Sequence, residues 1–80
     1  MRVPIEMANL GFDEDTFKVA SWLKRVGDAV ERGEEIVEVE TEKATVGMEA
    51  LSSGTLVEIV HEAGAEVSVG EVIGFLEDGK

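Results

Sequence analysis

The sequence predicts an all-β fold, a sandwich or flattened barrel, on three observations. Apolar residues come in short runs that keep the alternation of a half-buried strand, as in Val37-Glu38-Val39-Glu40. Glycines punctuate those runs at Gly27, Gly33, Gly54, Gly64 and Gly70, and no segment keeps helical spacing for a normal helix length. The third observation is an internal repeat, in which residues 17–43 fall on residues 54–80 without a gap. Gly27 then meets Gly64, Val30 meets Val67, Gly33 meets Gly70, Glu34 meets Glu71, Ile36 meets Ile73 and Glu40 meets Glu77. Turns coincide with turns and aliphatics with aliphatics, so the halves predict a barrel of approximate two-fold symmetry.

Residues 2–7 read as a first strand with Val3, Ile5 and Met7 on one side. Pro4 confines it to an edge or a strand end, where a missing N–H is harmless. Residues 8–15 form an acid-rich loop. Its Leu10 and Phe12 are expected to cap one end of the core, or else to belong to a partner-contacting surface. Residues 16–23 are the second strand. Val19, Trp22, Leu23 and Val26 also fit helical spacing, but Gly27-Asp28 cuts that run short. Trp22 reads as an anchor in or at the edge of the core.

Gly33 marks a turn before a strand over residues 36–40. The polar interval Thr41-Glu42-Lys43-Ala44 is short enough for a hairpin connection into a strand over 45–48. Gly47, inside that strand, signals a bulge or a close approach. Leu51-Ser52-Ser53-Gly54 is a turn, residues 55–60 a strand that ends near an exposed His61, and residues 72–76 close the fold. Two-fold symmetry places the mid-chain hairpin and the chain ends at opposite poles, so Lys43 points away from the ends. Lys80 coincides with Lys43 in the repeat, but no strand follows it and it reads as tail.

Eighty residues make one small domain, 1–80. Its net charge of −11, from 18 acidic and 7 basic side chains, repels phosphate backbones and anionic bilayers, which excludes nucleic-acid and membrane binding. The absence of cysteine removes disulfides, thiolate metal sites and a cysteine nucleophile. One histidine cannot build a His-rich metal site, so no metal is expected. With no spanning-length apolar run and no signal-peptide layout, an intracellular location is expected. Glu40 and Glu42 have the look of an acid–base pair, yet no nucleophile or ligand accompanies them, and on so acidic a chain they read as a solvated face. No catalytic residue is expected. The candidate site is Lys43 at a turn tip, framed by Glu40, Thr41, Glu42 and Ala44.

The stretch Glu38-Val39-Glu40-Thr41-Glu42-Lys43-Ala44 resembles the attachment motif of lipoyl domains, E-(I/V)-E-T-D-K-A. Upstream, Trp22 followed by Gly27-Asp28, Val30 and Gly33-Glu34 resembles that family's W-x-x-x-x-G-D-x-V-x-x-G-D/E signature. Downstream, Gly54-Thr55-Leu56-Val57-Glu58-Ile59 is similar to its G-x-(V/L)-x-x-I strand, and Gly64, Val67, Gly70, Ile73 and Leu76 to its closing half. The likeness runs from Val3 to Glu77. It departs at Glu42, where aspartate is usual, and at Glu49 and Leu51, where proline is frequent.

The resemblance implies a flattened barrel of two four-stranded antiparallel sheets, a barrel-sandwich hybrid, with lipoic acid joined by an amide to Lys43. It implies the carrier part of an acyltransferase (E2) in a 2-oxo acid dehydrogenase complex, pyruvate dehydrogenase among them. Such a domain is no enzyme by itself; it shuttles acyl groups and reducing equivalents. Its implied partners are a thiamine-diphosphate decarboxylase (E1), the E2 catalytic core, the E3 dihydrolipoamide dehydrogenase, and a lipoate ligase or lipoyl transferase. Leu10, Gly11, Phe12 and Asp13 are the implied recognition residues for E1, because the family sets that loop beside the lysine hairpin. The compartment would be the cytoplasm of a prokaryote, or the mitochondrial matrix or plastid of a eukaryote. A biotinyl carrier shares the fold, but its methionines flanking the lysine are replaced here by Glu42 and Ala44. An unmodified adaptor barrel would need no lysine at the tip.

Overall fold

Alternating runs and glycine turns fold into eight strands in the computed structural model, which describes residues 1–10 and 15–79. They are β1 (Arg2–Glu6), β2 (Thr16–Trp22), β3 (Ala29–Val30), β4 (Glu35–Glu40), β5 (Thr45–Glu49), β6 (Gly54–Ile59), β7 (Glu66–Ser68) and β8 (Val72–Glu77). Six correspond to predicted runs within a residue or two. β3 and β7, of two and three residues, escape a period-two reading because they are too short to show a period.

Two four-stranded antiparallel sheets result, in the orders β1-β8-β6-β3 and β5-β4-β2-β7. Exchanging each strand for its repeat mate, β8 for β4, β6 for β2 and β3 for β7, turns one order into the other. The remaining strands, β1 and β5, become equivalent edges. The symmetry read from the repeat is therefore present in the pairing, and each sheet draws strands from both halves of the chain. Pro4 sits on edge strand β1, as its missing donor requires.

The inward faces supply the core. The repeat mates Val19 and Leu56, Val30 and Val67, Ile36 and Ile73, and Val39 and Leu76 are all buried, with Phe17, Met7 and Val37 between them. Leu10 is half-buried against this core, as a cap would be, whereas Phe12 lies outside the described residues. Sheet-to-sheet crossings use four glycines at the third position of four-residue turns. Gly27 (φ 102°) and Gly64 (φ 96°) are one symmetric pair, and Gly33 (φ 89°) and Gly70 (φ 88°) the other. The third position of a type II turn requires such a φ, which side chains avoid. In the second pair a carboxylate closes each turn: Glu34 accepts from the Glu31 N–H at 3.1 Å, and Glu71 from the Ser68 N–H at 2.9 Å.

Trp22 ends β2 half-buried, its Nε1 donating to the His61 carbonyl at 2.8 Å. His61 is not the exposed residue expected. It is half-covered, and its Nε2 lies 2.8 Å from Glu71 Oε2. Gly47 proves to be a close approach: a Cβ there would meet Glu35 Oε1 at 2.2 Å, while the register irregularity falls on facing strand β4, between Glu35 and Val37. The molecule is elongated, 37 by 19 by 18 Å. At one end, Asp78 shares a surface hollow with Arg32, Ser52 and Ser53, next to the Glu35–Glu49 pair that opens the β4–β5 hairpin. Met1 and Asp78, 3.2 Å apart, thus gather at the root of that hairpin, and Lys43 occupies its far tip.

Candidate functional site

The β4–β5 hairpin carries the candidate lysine. Val37, Val39 and Met48 are buried on its inner face, while Glu40 and Thr45 face solvent. A one-residue slip would expose all three apolar side chains, so burial fixes the register. Pairing runs through Val37↔Met48, Glu38↔Gly47 and Val39↔Val46 to Glu40↔Thr45, leaving residues 41–44 as the connection.

A single hydroxyl organises that connection. The Thr41 N–H donates to the Ala44 carbonyl at 2.8 Å, and Thr41 Oγ1 donates to the same oxygen at 2.8 Å. In return Oγ1 accepts from the Lys43 N–H at 3.2 Å and from the Ala44 N–H at 3.0 Å. Thr41 is buried, the only buried polar residue among those described, whereas Glu42, Lys43 and Ala44 are exposed. The Lys43 amine therefore stands in solvent on a turn whose backbone is tied down.

Cross-strand pairing brings up neighbours that the sequence did not announce. Lys18 of β2 lies between Glu40 of β4 and Glu66 of β7. With Thr16, Thr41 and Glu42 they rim an open polar hollow of about 220 Å³ beside the tip. Only sheet order brings Lys18 and Glu66 to the hairpin tip, and no local motif could have revealed that. Glu40 and Glu42 are solvent-facing carboxylates. Among the described residues no cluster of His, Cys, Asp and Glu could hold a metal ion. Of the expected recognition residues, Leu10 is half-buried, and Gly11, Phe12 and Asp13 lie outside the described residues. The downstream end of their loop is placed: the Asp15 carbonyl accepts from the Val69 N–H at 3.1 Å, and Thr16 joins the hollow beside Glu42.

A duplicated two-sheet barrel with a lysine at a mid-chain hairpin tip defines a class of attachment domain. The chain belongs to the biotin- and lipoyl-attachment family, described as "Biotin-requiring enzyme", which matches residues 3–76. It is 40% identical over 79 residues, 99% of its length, to the "dihydrolipoyllysine-residue succinyltransferase component of 2-oxoglutarate dehydrogenase complex" of Rickettsia conorii. Over 56 residues, 69% of its length, it is 57% identical to "dihydrolipoyllysine-residue acetyltransferase component 2 of pyruvate dehydrogenase complex, mitochondrial" of Arabidopsis thaliana. The chain spans only 20% and 10% of those two relatives. Among solved structures it is similar to the lipoyl domain of the 2-oxoglutarate dehydrogenase complex of Azotobacter vinelandii. The identity is 35%, the TM-score 0.75, and the match covers 98% of this chain and 99% of that one. Within the family, then, this is a lipoyl domain, of the type carried by E2 components, and the biotinyl alternative is the weaker one.

Proposed function

We infer that the domain carries a lipoyl group in amide linkage to Lys43 Nζ and serves an E2 acyltransferase of a 2-oxo acid dehydrogenase complex. The observation that carries this reading is one exposed amine at a fixed turn, at the pole remote from the chain ends. A ligase that must select one lysine of a chain needs such a geometric distinction, and an amine is acylated readily only by an activated donor.

The residues fit the group. Lys43 supplies the nitrogen, and no ion pair engages its ammonium among the described residues. The hollow beside it is mostly polar, with Glu40, Glu42, Glu66 and Lys18 in its lining, so it favours a solvent-borne arm over a docked one. When attached, the dithiolane supplies the acyl-carrying and electron-carrying chemistry, and the protein contributes position and recognition. Amide formation removes the Lys43 charge and leaves a neutral arm among carboxylates. Tethering makes each encounter with E1, the E2 core or E3 intramolecular, at an effective concentration of roughly millimolar. The loop holding Leu10, Gly11, Phe12 and Asp13 is the proposed contact with E1, since its downstream end adjoins the hairpin tip. The location proposed is intracellular, wherever that complex assembles.

Co-expression with a lipoate ligase followed by intact-mass measurement tests the reading. A lipoyl-sized gain in the wild type that vanishes in Lys43→Ala is expected. A biotin-sized gain, or none, overturns it. Reductive acylation by purified pyruvate, 2-oxoglutarate and branched-chain decarboxylases then identifies the oxo acid.

A further inference from the structure

We propose that Thr41 is a positioning residue for acylation of Lys43, acting through its hydroxyl. The inference rests on the reading that Lys43 is the modified lysine.

Two-residue hairpin tips usually take a type I′ turn, whose central residues both need φ > 0 and whose twist matches the flanking strands. Here the tip residues are Glu42 and Lys43, and no described non-glycine residue has a positive φ. Types with negative φ at the tip splay the strands, so another device must close the turn. Thr41 provides it. Its Oγ1 takes the N–H groups of both Lys43 and Ala44 and returns its own hydrogen to the Ala44 carbonyl. One side chain thereby occupies three main-chain groups of the tip, including the amide of the lysine itself. Threonine is stiff about χ1, so the oxygen is held where those amides point.

Burial adds a second argument. Every other buried side chain among the described residues is apolar. Valine has the shape of threonine and would satisfy packing at this position equally well. What valine cannot do is accept the two N–H groups. The hydroxyl is therefore accounted for by the turn, and the turn sets the direction in which the Lys43 side chain leaves the backbone. Acyl transfer depends on bringing the amine within a narrow approach to the activated carbonyl, so a loosened tip lowers the rate more than the affinity.

The test compares wild type, Thr41→Val and Thr41→Ser as substrates of a lipoate ligase with lipoate and ATP, read by intact mass over time at 25 °C. For Thr41→Val, kcat is expected to fall about tenfold with KM within about twofold, the size of a lost hydrogen bond or two. Thr41→Ser, which keeps the oxygen, is expected within about threefold of wild type. Hydrogen exchange of the Lys43 and Ala44 amides is expected to quicken in the valine variant alone. Should that variant not fold, Thr41→Ala, which adds no bulk, carries the same expectations. Equal kcat and equal exchange in wild type and valine variant overturn the proposal. A wild type that takes up no lipoyl group overturns the carrier reading instead, and the exchange measurement still decides whether the hydroxyl fixes the turn.

Discussion

Gly47 and Gly74 both stand inside strands, but their surroundings differ. At Gly47 the nearest atoms to an added Cβ are the carboxylate end of Glu35, which can swing into water. At Gly74 it meets the Glu58 carbonyl oxygen at 2.8 Å and the Trp22 ring at 3.1 Å. Backbone cannot swing aside, and Trp22 is pinned by its bond to His61. Gly47→Ala is therefore expected to be neutral or to stabilise by up to about 1 kcal/mol, through loss of unfolded-state freedom. Gly74→Ala is expected to cost about 1–3 kcal/mol, as overpacking does. Urea denaturation of the two variants separates these outcomes. The sequence could flag Gly47 as a bulge or an approach, but deciding between them needed the facing strand.

Among the elements, the turns closed by Glu34 and Glu71 stand out. Lys24 Nζ lies 2.7 Å from Glu34 Oε2, and with the Glu31 N–H it holds the Glu34 carboxyl below its ordinary value of 4.5; Glu34 in turn raises Lys24. A carboxyl lowered on folding stabilises above its unfolded pKa and loses that contribution as pH falls through the folded one. Glu34→Gln is thus expected to have a lower urea midpoint than wild type at pH 7, with the gap closing as pH drops below 4.5. A gap that persists at pH 3 refutes the role of charge. The turns and the six longer strands were legible because glycine spacing and alternation are local signals. β3 and β7 were not, being fixed by pairing with β6 and β2. The Lys43 hairpin was legible from Val37-Glu38-Val39-Glu40 and the polar break after it. The work of the Thr41 hydroxyl was not, since a threonine entering a turn looks like any β-branched residue.

At the scale of the whole molecule, the net charge of −11 sets two effects against each other. Salt weakens the surface pairs Lys24–Glu34 and Arg2–Glu58, which contribute little at exposed positions. Salt also screens repulsion among 18 acidic side chains packed into one small domain, and that term is the larger. Raising sodium chloride from 0.01 M to 0.5 M is expected to stabilise by about 1 kcal/mol, a rise in Tm of about 4–8 °C by calorimetry. A falling Tm would mean that the surface pairs dominate. The two-fold architecture was legible because duplication left the same glycines and aliphatics in both halves. The acidic rim around Lys18 was not, because sheet order alone unites β2, β4 and β7.

With the chain ends at one pole and Lys43 at the other, the barrel is a rigid boom rather than a bead. A mooring line spliced on at either terminus leaves the working tip pointing outward. The 37 Å of folded protein then extends the radius swept, at no cost in slack.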